Sequence, residues 1–225
     1  MKDMCCIDGF SPTSSTEIKA YFIKNLKPII DDNRDIIFLC IGTDRSTGDS
    51  LGPLIGYKLK PIIPKNIYVY GSLESPIHAT NILTILDKIK INFNNPYIVA
   101  IDAALGSVHN IGKIIIENKP LSPGAAFNKS LPPIGNMSIK GIVNISGCMD
   151  FTLLQNTRLY TVMTLADSIS NGISLFCKLI KKSVSNWISL IQIFLYYSLL
   201  IASFKTCNSS SDNSYLDIPL SIGFA

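Results

Sequence analysis

Short apolar runs alternate with segments of helical periodicity in the first half of the chain. Residues 35–41 (DIIFLCI), 67–70 and 97–101 have the length and composition of buried strands. Between them, residues 51–60 and 77–91 carry apolar side chains at the spacing of amphipathic helices. Such an alternation favours right-handed crossovers. It therefore predicts an α/β fold with a mainly parallel central sheet and helices on both faces.

The rhythm changes in the second half of the chain. Residues 113–117 and 139–145 are strand-like, and a loop rich in Pro and Gly lies between them over residues 120–135. A loop of that length inside a compact domain is usually functional or disordered. Residues 151–180 have a helical pattern, with an interruption expected near Asn156.

The two ends of the chain differ from its centre. Residues 1–15 are rich in Ser, Thr and Asp and are predicted to be a mobile arm. Apolar side chains recur at helical spacing over residues 16–30, which predicts a first helix. The expected organisation is this arm, one α/β domain over residues 16–182, and an apolar helix with a flexible tail over residues 183–225.

The C-terminal segment contains eighteen uncharged residues, 187–204. As a helix it would span ~27 Å, slightly less than a ~30 Å hydrocarbon core. Lysines precede the run and Lys205 follows it, which would keep the preceding domain on the cytoplasmic side. A membrane contact through residues 184–204, a buried or partner-binding helix, and an aberrant extension of the reading frame all remain open.

Composition excludes some classes of protein. Apolar residues make up 47% of the chain and charged residues 16%, which excludes an intrinsically disordered protein. The net charge of +4 is spread without a block of like charge, so nucleic-acid binding is not indicated. Six irregularly spaced cysteines without a C-x-x-C pair favour free thiols in a reducing compartment, and hence a cytoplasmic location.

Two aspartates mark the candidate chemistry. Asp49 follows strand 35–41 after a glycine-bearing turn, and Asp102 directly follows strand 97–101. Ligands of open parallel sheets bind beyond the carboxyl ends of the strands, where neighbouring strands would bring both carboxylates together. Two carboxylates that share a site separate their pKa values and can serve as acid and base. The alternative is that each aspartate caps the helix that follows it.

Several short motifs resemble the germination protease family of bacterial spores, in the same order along about 140 residues. GTDRSTGDSLGP at 42–53 resembles its first active-site loop, VAIDAAL at 99–105 its second acidic strand end, and PGAAFNKS at 123–130 its Pro-Gly loop. The shorter YyaC-type sporulation proteins of that family also match LPPIG at 131–135 and IVNISG at 142–147.

This resemblance implies a doubly wound α/β fold like that of the proteases that mature hydrogenases. It assigns Asp49 and Asp102 to the two aspartates on which the spore protease depends. It also implies a protein substrate, small acid-soluble spore proteins, degraded in the cytoplasm during germination. No cofactor is implied.

The sequence departs from the family at two loop positions. Ser122 stands where histidine is usual, which argues against a nickel-type metal site. Ala126 stands where glycine is usual. His78 and His109 do not form a ligand pair by spacing, although His109 follows Asp102 by seven residues. Three functions remain: an aspartate-dependent endopeptidase, an inactive sporulation protein that binds a partner in the same cleft, and metal-dependent maturation of another enzyme.

Overall fold

A computed structural model describes residues 4–122 and 132–181. The chain divides into two units, Met1–Ile180 and Lys181–Ala225, and the elements named here belong to the first, except that the last helix ends at Lys181. In chain order they are β1 (Met4–Asp8), α1 (Ser14–Asp31), β2 (Ile36–Cys40), α2 (Leu51–Leu59), β3 (Ile67–Tyr70), α3 (Ile82–Asn92), β4 (Tyr97–Gly106), β5 (Lys113–Glu117), β6 (Met137–Ile145), α4 (Asp150–Gln155) and α5, a helix over residues 159–181.

The described strands form one sheet in the order β1-β5-β6-β4-β2-β3. β2 pairs in parallel with β3 and with β4, and β4 pairs in parallel with β6. β5 pairs antiparallel with both β6 and β1, so β5 runs against the other five described strands. The predicted parallel arrangement of the first three apolar runs is therefore confirmed.

Helices cover both faces of the sheet, which explains the uninterrupted apolar run in β2. Every residue of β2 is buried. Phe38 and Cys40 pack in one cluster with residues of α1, α2 and α5. Ile37 and Leu39 pack in a second cluster with residues of α3. Successive side chains of a strand point to opposite faces, so β2 must be apolar at every position. The predicted α/β fold class is confirmed.

The predicted mobile arm over residues 1–15 is wrong for Met4–Asp8, which form β1 and pair in register with Lys113–Glu117. Within this strand only Ile7 is fully buried. Its apolar run, MCCI, is only four residues long and stands beside a segment rich in Ser, Thr and Asp, so composition concealed it. The N–H of Gly9 donates to the carbonyl oxygen of Gly112 (2.9 Å) and extends the pairing.

β4 is longer than the apolar run that predicts it. It continues to Gly106, five residues past the expected end at Ile101. Its neighbour β2 ends at Cys40, opposite Ile101, so the remainder of β4 pairs with β6 and not with β2. Asp102 therefore lies inside β4 rather than after it, at the first position beyond the end of β2.

The expected interruption near Asn156 is confirmed, because α4 ends at Gln155 and α5 begins at residue 159. The side-chain amide of Asn144 donates to the carbonyl oxygen of Leu153 (3.0 Å) and to Oγ1 of Thr157 (3.3 Å). These two bonds attach the break between the helices to the end of β6.

Three predictions fall partly outside the described residues. A bridge between Leu121 and Ile134 closes the base of the long loop, but residues 123–131, with Ala126, lie outside the description. Of the six cysteines, the five that are described form no disulfide. Among the described helices none is long and apolar enough to cross a membrane, and the candidate segment 184–204 lies outside them.

Candidate active site

A cavity of about 600 Å³ opens at the carboxyl ends of β2 and β4. This edge is where parallel sheets bind their ligands. Both aspartates singled out by the sequence line the cavity. Its charged and polar lining includes Asp49, His78, Asp102, Ser122, Lys140 and Asp150.

Asp49 reaches the cavity from the loop between β2 and α2. It lies in a single 3-10 turn, Gly48–Ser50, directly before α2. The N–H of Thr43 donates to the carbonyl oxygen of Asp49 (3.1 Å), which folds the loop back onto the end of β2. Gly42 has a φ of 139°, and a Cβ there would overlap that same carbonyl oxygen. Glycine is therefore required where the loop turns.

Burial raises the pKa of the Asp49 carboxyl above its ordinary value. The hydroxyl of Ser46 lies close enough to oppose this rise, although it forms no hydrogen bond of ordinary geometry within the described residues. The capping position of α2 is Ser50 rather than Asp49. Helix capping therefore does not explain the position of Asp49.

Asp102 belongs to a row of side chains that crosses the sheet. It lies opposite Lys140 of β6, which lies opposite Ile115 of β5, and all three line the cavity. The N–H of Ala103 donates to Oδ1 of Asp102 (2.9 Å) and holds the carboxyl at the edge of the strand. Asp102 lies within β4 and not at the start of a helix, so the capping alternative does not apply to it either.

Burial, and then the charge of Asp49, raise the pKa of Asp102 to about 8. The hydrogen bond from Ala103 and the charge of Lys140 lower the pKa but do not offset the rise. Near pH 7 Asp102 thus holds a proton, and Asp49 is the carboxyl expected to ionise first, because its charge raises the pKa of Asp102. One member can donate a proton while the other accepts one, as in paired-carboxylate catalysis.

His78 also lines the cavity, and the sequence analysis did not assign it to the site. It follows Ile77, which bridges to Ile41 directly after β2. Its Nδ1 lies 2.8 Å from Oγ1 of Thr80, which orients the ring. The signal was its place after β3, at the same edge of the sheet. His109 lies exposed in a 3-10 turn and is not among the lining residues.

Lys140 is a second residue that the sequence analysis missed. Its Nζ lies 3.4 Å from Oε2 of Glu117, and Lys119 contacts the other oxygen of that carboxylate at 2.7 Å. The ammonium group of Lys140 therefore contacts Glu117, while Lys140 itself lies opposite Asp102 in the sheet. The sequence of β6 could have indicated it, because a lysine between the buried residues Ile139 and Gly141 needs a carboxylate partner.

The described residues show no arrangement of metal ligands. In residues 4–122 and 132–181, no group of three or more His, Cys, Asp and Glu side chains is arranged to hold an ion. Ser122, at the position of the family histidine, lies exposed at the cavity. Its hydroxyl can donate or accept a hydrogen bond but is a poor metal ligand.

Fold and site together define an α/β domain with two carboxylates in a cleft at the carboxyl edge of its sheet. The chain belongs to the family described as "Protein of unknown function (DUF1256)", whose model matches residues 10–172. It is 48% identical over 142 residues to "Uncharacterized protein YyaC" of Bacillus subtilis (strain 168), which covers 63% of this chain and 69% of that protein. The resemblance to YyaC-type proteins is thus confirmed.

A solved structure similar to the chain is the [NiFe] hydrogenase maturation protease HycI from Thermococcus kodakarensis KOD1. The TM-score is 0.44 at 16% sequence identity, and the match covers 64% of this chain and 92% of that protein.

Proposed function

We propose that this chain is an endopeptidase in which Asp49 and Asp102 act as a general base and a general acid. One observation carries the proposal. Two carboxylates line one cavity, and the charge of the first raises the pKa of the second. Peptide hydrolysis needs a group that takes a proton from water and a group that protonates the leaving nitrogen.

The reaction follows from these two protonation states. Asp49 removes a proton from water as the water oxygen attacks the carbonyl carbon of the substrate. Asp102 gives its proton to the peptide nitrogen, the C–N bond breaks, and an acid and an amine leave. The proton on Asp49 returns to Asp102 through solvent, so that one water molecule is consumed in each cycle.

The biological setting rests on the resemblance of residues 42–53 and 99–105 to the germination protease family. The proposed setting is sporulation or germination, in the cytoplasm, with small acid-soluble spore proteins as the substrate. A membrane contact through residues 184–204 would hold the domain near a membrane surface without changing this chemistry.

A second candidate is a catalytically inactive sporulation protein that binds a partner in the same cleft. Ser122 favours it, because a serine stands at the cavity where the family has a histidine. The retention of Asp49 and Asp102 favours the enzyme, because a binding cleft does not need two carboxylates with raised pKa values.

Cleavage of small acid-soluble spore proteins by the full-length chain tests the proposal. Asp49→Asn and Asp102→Asn should each lower the rate by about 10²–10⁴-fold, the usual contribution of a general acid or base. The matched control is Asp87→Asn, an exposed carboxylate of α3 that pairs with Lys90. It should leave the rate unchanged, and thermal unfolding should show that all three variants fold.

The outcomes separate the two candidates. Cleavage that survives within tenfold in either Asn variant contradicts the acid/base pair. A wild-type chain that binds the spore proteins and cuts none of them favours the partner-binding function.

A further inference from the structure

The second half of β4 has one side that pairs with no neighbouring strand. On that side the carbonyl oxygen of Ile101 accepts from the N–H of Ile41 (2.8 Å), and there the pairing with β2 and its extension ends. On the opposite side the carbonyl oxygen of Gly106 accepts from the N–H of Ser146 (2.8 Å). Beyond Ile101, β4 is therefore paired along one side only.

These two bonds determine which backbone groups face the open side. The N–H and C=O of one residue in a strand point to the same side, and those of the next residue point to the other. Counting from Ile101 or back from Gly106 gives the same answer: Ala103 and Leu105 face the open side. No backbone partner for Leu105 on that side, or for the carbonyl of Ala103, is found within residues 4–122 and 132–181.

The open edge lies inside the cavity rather than on the outer surface. Asp102, Ala103 and Leu105 all line it. The N–H of Ala103 is already used by Oδ1 of Asp102, which leaves one N–H and two carbonyl groups for a ligand. Side chains of a ligand would meet Ile142, Leu154 and Phe151, which supply apolar lining.

We propose that an extended polypeptide docks as an added strand along Ala103–Leu105, with one of its peptide bonds beside Asp102. This inference rests on the proposed function, because it names the form in which that site takes its substrate. Backbone hydrogen bonds supply affinity in strand addition, and side-chain pockets supply preference. The substrate class is therefore an unfolded segment or terminus, since a folded chain has its backbone groups already paired.

Binding to an unfolded and to a folded form of one protein tests this inference. The probe is fluorescently labelled α-lactalbumin, either reduced and carboxymethylated or native. The full-length chain carries Asp49→Asn, which prevents turnover and lies off β4. The unfolded probe should bind and the native probe should bind at least tenfold more weakly. Equal binding of the two probes, or binding of neither, overturns the inference.

A matched pair of substitutions isolates the backbone donor at Leu105. Leu105→Pro removes the N–H that faces the open side and breaks no bond to β6. Leu105→Ala removes a comparable volume and keeps the N–H. Affinity for the unfolded probe should fall at least tenfold in the proline variant and less than about threefold in the alanine variant. Equal losses in the two variants overturn the inference.

A second measurement remains decisive if the proline variant does not fold. Hydrogen exchange at the Leu105 amide of the Asp49→Asn chain should slow at least tenfold when the unfolded probe is added, and unchanged exchange overturns the inference. Cleavage of the probe by the wild-type chain is scored separately. Edge binding without cleavage contradicts the proposed function alone, whereas cleavage that is insensitive to Leu105→Pro contradicts the docking mode alone.

Discussion

The two halves of β4 have one continuous backbone and different environments. Tyr97–Ile101 pairs with β2, and its last three residues also pair with β6. Most of its side chains are buried. Residues 102–106 pair with β6 alone and line a cavity. The change falls at the residue where β2 ends. β4 extends beyond β2 at the carboxyl edge of the sheet. This extension supplies both the carboxyl group of Asp102 and backbone groups without a neighbouring strand.

Ile101 and Asp102, which are adjacent at this boundary, differ in what they contribute to the stability of the fold. Ile101 is fully buried in the core, and its side chain contributes to stability by leaving water. Asp102 points to the other face, where burial and a nearby negative charge oppose its ionisation. The second half of the strand is therefore expected to contribute less to stability than the first.

The largest expected difference between the two halves comes from truncating one apolar side chain in each. Ile101→Ala should lower the free energy of unfolding by about 2–5 kcal/mol, as usual for a fully buried isoleucine. Leu105→Ala should cost only about 1 kcal/mol, because Leu105 is partly exposed at the cavity. Urea unfolding followed by circular dichroism measures both values. Equal losses of unfolding free energy would contradict the expectation that the two halves of β4 contribute differently to stability.

A smaller change, an increase in the free energy of unfolding, is expected when the carboxyl group of Asp102 is neutralised. Asp102→Asn should stabilise the fold at pH 7 by a few kcal/mol, since each unit of pKa shift corresponds to about 1.4 kcal/mol. The folded pKa is raised, so the wild-type chain loses stability as pH rises from about 4, the unfolded value, to about 8. Urea unfolding of both chains at several pH values measures the difference.

The pH dependence separates charge from packing in that experiment. At pH 4 and below, Asn and protonated Asp are nearly equivalent, so the gain should vanish. Above pH 8 the gain should reach a plateau. Asp87→Asn, the exposed control, should change stability by at most about 0.5 kcal/mol. A gain that is the same at pH 4 and pH 8 would contradict the assignment of the effect to ionisation.

The smallest effect is expected from replacing Lys140, the cation that acts on Asp102. Lys140 lowers the pKa of Asp102, so Lys140→Met should move the alkaline limb of the activity profile to higher pH. Lys119→Met is the matched control, because Lys119 also pairs with Glu117 but does not act on Asp102. The pH dependence of cleavage measures both variants. A shift of similar size in both would assign the effect to Glu117 instead.

The sequence predicted those parts of the molecule that depend on local pattern. Buried parallel strands need continuous apolar runs, and the boundaries of β3 and β5 agree with the structure. Asp49 and Asp102 were found because each follows such a run. β1 was missed because its short apolar run, MCCI, stands beside a segment rich in Ser, Thr and Asp.

The remainder depends on contacts between distant segments. His78 reaches the cavity through the bridge between Ile77 and Ile41, and Lys140 reaches it through the pairing of β6 with β4. Their sequence signals indicate this edge of the sheet but do not give the register. The extension of β4 over residues 102–106 follows from its pairing with β6, because the sequence DAALG has little strand character of its own. Its open edge follows from the length of β2, which pattern alone defines only to within a few residues.

The titration of Asp102 tests the central claim, that two coupled carboxyl groups share one cavity, most directly. NMR of the full-length chain with carbon-13 in its aspartate carboxyl groups measures it without any substrate. The resonance of Asp102 should change with a midpoint at about pH 8, and in Asp49→Asn the midpoint should move to lower pH because a negative charge is lost. A midpoint near pH 4, unchanged by Asp49→Asn, would contradict the account.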